Sequence, residues 1–104
     1  MAEGLAERLE AMLASGRDDP LLRFGLGNHY FNERDWASAV PHLQALLEQD
    51  PTHSAGWKLL GRSLAALDRH DEARQAFEQG LSVAVANGDK QVEREIGVFL
   101  KKLP

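Results

Sequence analysis

A chain of 104 residues makes one domain, residues 1–104, with a core that buries ~60–70% of the unfolded surface and little margin to spare. It has no cysteine, which excludes disulfides, thiolate metal sites and cysteine nucleophiles. Its net charge of −4, with acids and bases interleaved, offers no field that attracts nucleic acid or an anionic membrane. Met1-Ala2-Glu3-Gly4 lacks the basic region and long apolar run of a signal peptide. Apolar runs such as Val83-Ala84-Val85-Ala86 are too short to span a bilayer. These features predict a cytoplasmic soluble protein.

The first predicted helix, residues 3–16, sets Leu5, Leu9, Met12 and Leu13 on one stripe. Gly16 ends it. Asp19 and Pro20 read as the cap and first turn of the next helix, whose line is Leu22, Leu26 and Tyr30, with Gly27 beside it. Asp35 caps a third helix, running from Trp36 to Gln49 with Ala39, Leu43, Leu46 and Leu47 inward. Pro41 lies inside this helix, lacks a donor for the carbonyl of Ala37, and predicts a local bend. After Asp50-Pro51, Thr52 or Ser54 is expected to cap a fourth helix carrying Trp57, Leu60, Leu64 and Leu67. A fifth, about His70 to Ala86, buries Ala73, Ala76, Phe77, Leu81 and Ala84. Asn87-Gly88 stops it, and Asp89 caps a last helix, 89–103, striped with Val92, Ile96, Phe99, Leu100 and Leu103.

No strand pattern occurs, and the short connections make successive helices antiparallel neighbours. Shifting the chain on itself by 34 residues brings Leu26-Gly27 onto Leu60-Gly61, Ala39 onto Ala73 and Leu43 onto Phe77. The same shift brings Tyr30 onto Leu64 and Leu47 onto Leu81. A fixed period of this length marks a helical repeat, in which each hairpin covers only one side of its neighbour and stacking completes the core.

These residues resemble the tetratricopeptide repeat (TPR) family, whose unit reads Trp-x-x-Leu-Gly-x-x-Tyr in its first helix and Ala-x-x-x-Phe in its second. Residues 54–87 supply Trp57, Leu60, Gly61, Ala73 and Phe77, with Leu64 for Tyr and Val85 for the final Pro. Residues 20–53 supply Leu26, Gly27, Tyr30, Ala39 and Pro51, with Arg23 for Trp and Leu43 for Phe. The resemblance implies an all-α fold: a right-handed α-solenoid of antiparallel helix hairpins, two TPR units plus N- and C-terminal capping helices, six helices in all. Thirty-four residues before Leu43, Leu46 and Leu47 stand Leu9, Met12 and Leu13, so the first helix reads as the second half of an absent unit. Ile96-Gly97 with Leu100 repeats the first-helix pattern, but only after two extra residues in the turn.

The resemblance further implies a non-enzymatic protein–protein interaction module that binds a peptide or protein segment on the concave face formed by the first helices. On this register the peptide-binding candidates are Leu21, Phe24, Asn28, Phe31, Lys58 and Arg62. Phe24, Asn28 and Phe31 share a helix face, as do the like-charged Lys58 and Arg62. The basic pair reads either as a solvated surface or as a seat for an acidic partner; the two aromatics read equally as core. The carboxylate grip of some family members is mostly absent, because Phe24 stands where its first Lys belongs and Leu59 where its second Asn belongs. The alternative function is a structural scaffold or self-associating subunit, with the chain a monomer or weak homodimer.

No catalytic or metal-binding constellation is expected. His29, His42, His53 and His70 lie on separate helices or turns without ligand spacing. Asp18-Asp19 and Asp71-Glu72 sit at helix starts, where capping and the helix dipole account for them. The serines lack a nucleophile elbow, and the dispersed glycines form no phosphate-cradling loop. No cofactor, nucleic acid or membrane is therefore expected as a partner.

Overall fold

The computed structural model describes residues 4–104. Among these residues the chain forms six helices and no strand: α1 (Leu5–Ala14), α2 (Pro20–Asn32), α3 (Trp36–Gln49), α4 (Ser54–Ala66), α5 (His70–Asn87) and α6 (Lys90–Lys102). The expected start of the first helix at residue 3 lies outside the described residues.

Local chemistry sets the helix starts. The carboxylate of Asp19 accepts from the Leu22 amide at 2.8 Å, with Pro20 in the first turn, where no donor is missed. Asp35 and Asp89 do the same for the amides of Ser38 and Val92, at 3.3 and 3.2 Å. The start of α4 departs from expectation, since neither Thr52 nor Ser54 caps it. His53 does, its Nδ1 accepting from the Gly56 amide at 2.9 Å. The Ser54 hydroxyl instead donates to Asp89 at 2.8 Å, a charge-assisted bond that ties the start of α4 to the start of α6.

Pro41 sits on the exposed side of α3, and the helix runs through it unbroken. Ala37, whose carbonyl loses its donor, is exposed to solvent, which supplies one. The hairpin turns repeat as closely as the helices. Arg34 (φ 59°) and Asp68 (φ 60°) adopt the left-handed conformation 34 residues apart. In each turn the following amide returns to a helix carbonyl at 2.9 Å, Asp35 to Tyr30 and Arg69 to Leu64.

Packing follows one rule applied twice. Helices α2 and α3 form a hairpin, as do α4 and α5; α3 then packs on α4, and α5 on α6. Leu26, Ala39, Leu43, Phe77 and Ile96 are buried along this stack. The glycines permit the close approach within each hairpin. A methyl group on Gly27 would come 2.6 Å from Leu43 Cδ2, and one on Gly61 would run into the Phe77 ring.

Helix α6 sits against α5 and α4 as α4 sits against α3 and α2, so it is a first helix standing in a third position. Among the described residues helix α1 packs mainly on α2, reaches α3 through Glu10 and His42, and buries no side chain completely. In the row α2, α4, α6 each helix touches the next, whereas α3 and α5 do not meet. The touching row is therefore the inner, concave side of a stack measuring 43 × 27 × 20 Å.

Candidate functional site

The expected residues lie on α2 and α4 and have unequal surroundings. Leu21 is 74% exposed near the start of α2. Phe24 is half-buried, its ring 4.6 Å from that of His53, the residue that caps α4. Asn28 is half-buried, and its amide makes no side-chain hydrogen bond among the described residues. Phe31 lies edge-on to Trp36 at 5.3 Å. Both phenylalanines are thus wall residues, neither sealed in the core nor free in water.

The two basic residues do not act as a pair. Lys58 Nζ donates to Glu95 Oε1 at 3.2 Å, and only 18% of the lysine side chain is exposed. Lys58 is thus already paired within the chain, because α6 lies beside α4 and sets an acid opposite it. At this half-open site the ion pair contributes ~0–1 kcal/mol. Arg62, one turn further along, forms no ion pair with the chain's acids among the described residues. Its guanidinium lies 4.9 Å from the Phe31 ring centre and 4.7 Å from that of Phe99. Each such contact contributes about 0.5–1 kcal/mol at an exposed site and draws the guanidinium toward both rings. Its donors then remain available to a planar carboxylate. Phe99 stands two 34-residue periods after Phe31, a signal that aligning Ile96-Gly97 with two extra turn residues sets aside.

A sizeable concavity lies elsewhere. Between α3 and α5, where the second helices splay apart, a groove of about 480 Å³ is floored by Trp57, Leu60 and Leu64 and rimmed by Gln44, Gln75 and Gln79. The Trp57 indole already donates to the Pro51 carbonyl at 2.8 Å. No periodic mark announces this groove; it follows from the curvature of the stack.

A polar cluster joins α1 to the first hairpin. Glu10 Oε1 accepts from the Tyr30 hydroxyl at 3.0 Å and from His42 Nε2 at 3.2 Å. Arg23 Nη1 donates to His42 Nδ1 at 3.1 Å. Arginine can only donate, so His42 accepts at Nδ1 and carries its proton at Nε2. Arg23 also grips both oxygens of Asp18, at 2.8 and 2.9 Å, and Gln49 donates to the same carboxylate at 2.7 Å. The Arg23 bonds, then that of Gln49, lower the Asp18 pKa from 3.8 to about 2. Burial, followed by the bond to Glu10, pushes the Tyr30 hydroxyl up. These groups are occupied with one another and present no free nucleophile or base.

Among the described residues no group of three or more His, Asp or Glu side chains could hold a metal ion. No helix among them is long and apolar enough to cross a membrane.

Comparison with known proteins agrees with this architecture. The family model for the tetratricopeptide repeat matches residues 6–52 and 24–89. The TPR repeat-containing protein PA0015 of Pseudomonas aeruginosa is 54% identical over 99 residues, covering 95% of this chain and 94% of that protein. The solution structure of protein BPP2914 from Bordetella parapertussis superposes with a TM-score of 0.83 at 48% identity, over 97% of this chain and 88% of that one. A peroxisomal targeting signal receptor of Kluyveromyces lactis is 28% identical over 79 residues, which span 76% of this chain but only 14% of the receptor. Proteins of this family generally act by binding other proteins and are generally not catalysts. With its two stacked hairpins and the glycine seats between their helices, the chain belongs to the tetratricopeptide repeat family.

Proposed function

We propose that the protein is a non-enzymatic binding module. It takes a carboxylate-bearing peptide segment on the concave face of α2, α4 and α6, with Arg62 as the charged anchor. The observation that carries this reading is the Arg62 guanidinium close to both Phe31 and Phe99 and without an ion pair to its own chain among the described residues. Phe24 and Phe31 supply apolar wall, Asn28 an unused amide for peptide backbone, and Leu21 an exposed contact at the rim. Lys58 contributes only when an incoming acid displaces Glu95. Apolar contact gives most of the affinity in such a groove, and the arginine sets register and charge preference.

The test is an NMR titration with a capped, glutamate-rich peptide containing leucine. The Arg62 side-chain resonance and the rings of Phe31 and Phe99 are expected to shift together. Arg62→Glu should weaken binding by at least about tenfold, the loss of one charge-assisted hydrogen bond, and Lys58→Glu by much less. Shifts confined to the α3–α5 groove, or affinity unchanged in Arg62→Glu, would overturn the reading.

A further inference from the structure

The glycines of the repeat mark where a second helix seats its largest side chain. Leu43 of α3 lies over Gly27 of α2, and Phe77 of α5 lies over Gly61 of α4; these two side chains are 0% and 1% exposed. Helix α6 has the matching residue, Gly97, in the same Leu/Ile-Gly context. A methyl group added there meets nothing outside its own helix within 4 Å, and the adjacent Val98 is 50% exposed. The seat exists, and no side chain of the described residues fills it.

The opposite end shows the converse. Helix α1 is a second helix in register, with Leu9 at the position of Leu43 and Phe77. Leu9 touches α2 beside Gly25 but is only half-buried, because no first helix covers its other side. Leu5 and Met12 on the same stripe are 50% and 40% exposed.

We propose that α1 of a second copy docks on α6, completing a third hairpin between two molecules, head to tail. The charges agree with the antiparallel arrangement. A hairpin of the α2–α3 kind brings the end of the first helix to the start of the second. Here that apposes Lys101 and Lys102, in the last turn of α6, to Glu7, in the first turn of α1. None of the three forms an ion pair within the chain among the described residues. Leu5 stands where α3 and α5 carry the fully buried Ala39 and Ala73. Its larger side chain keeps the two helices further apart, so the joint is weaker than a covalent hairpin. An interface between unlike faces leaves one of each free at the ends, so growth does not stop at two.

Sedimentation equilibrium across a concentration series tests this directly. The wild-type mass should climb with concentration past that of two chains, less steeply in high salt, which screens the lysine–glutamate contact. Gly97→Leu fills the seat from its own side, where space is open, and should stay at the mass of one chain with unchanged helicity. A chain carrying Leu5→Glu and Met12→Glu should do the same. Mixed together, the two variants keep one intact face each and should form a one-to-one dimer that grows no further. A wild-type protein monomeric at millimolar concentration would overturn the proposal. So would a Gly97→Leu protein that associates like wild type, or a mixture that stays monomeric while wild type associates.

Discussion

Both ends of the stack are single helices outside the two complete hairpins, yet they are attached by different physics. Helix α6 buries Val92 and Ile96, and its Phe99 stacks on Phe77 with ring centres 5.8 Å apart. Helix α1 buries no side chain completely; Leu9 leans on α2, and Glu10 ties it through Tyr30 and His42. Apolar burial scales with area removed from water and resists salt and pH, whereas a polar tie depends on geometry and protonation. One end thus extends the core, and the other is clasped to it.

The largest expected effect that sharpens this contrast is Ile96→Ala. It leaves a cavity in a fully buried site and should cost ~2–5 kcal/mol in urea unfolding. Met12→Ala, at the exposed stripe of α1, should lie within about 0.5 kcal/mol of wild type. Equal losses at the two ends would break the comparison. Next in size is the pair of glycines on α4 and α6. Gly61→Ala forces the Phe77 ring aside and should destabilise by about 1–3 kcal/mol. Gly97→Ala, in open space, should stabilise the monomer by ~0.5–1 kcal/mol through helix propensity.

A smaller change tests the clasp. Tyr30→Phe deletes the hydroxyl donated to Glu10 and should cost ~0.5–1.5 kcal/mol. The signature is faster amide exchange across α1, with α4 and α5 remaining protected. Uniform acceleration would mean that α1 unfolds only with the rest.

Acid should reach both ends in modest steps. The Asp18 carboxyl is held near 2 by Arg23 and Gln49, and that of Asp89 is lowered by the Ser54 hydroxyl and the Val92 amide. A depressed carboxylate stabilises fully above its unfolded value, 3.8, and loses that contribution as pH falls through its folded value. Stability should therefore decline as pH drops from about 4 toward 2. Asp89→Asn should flatten the part of the decline that belongs to α6.

The helices, their faces and the hairpin order were legible because burial imposes a period near 3.6 and the unit repeats every 34 residues. The Gly27 and Gly61 seats could be read from that same register. What escaped the reading has no period. Lys58 and Glu95 lie 37 residues apart, off the repeat, and meet only because α6 takes a third first-helix position. His53 as a cap was passed over because the neighbouring Thr52 and Ser54 are stronger capping types. The α3–α5 groove comes from curvature, a property of the whole stack that no short run of residues encodes.

If the concave groove takes the proposed peptide, the Lys58–Glu95 contact bears on selectivity. Glu95 is a tethered rival for any ligand carboxylate that approaches Lys58, present at the high effective concentration that a fixed backbone provides. A free anion at ordinary concentration has no advantage over it. A peptide that already holds Arg62 and the aromatic walls arrives equally tethered, and can win the exchange. The groove would then discriminate by how many points a ligand grips at once, ignoring solitary acids that any bare lysine would attract.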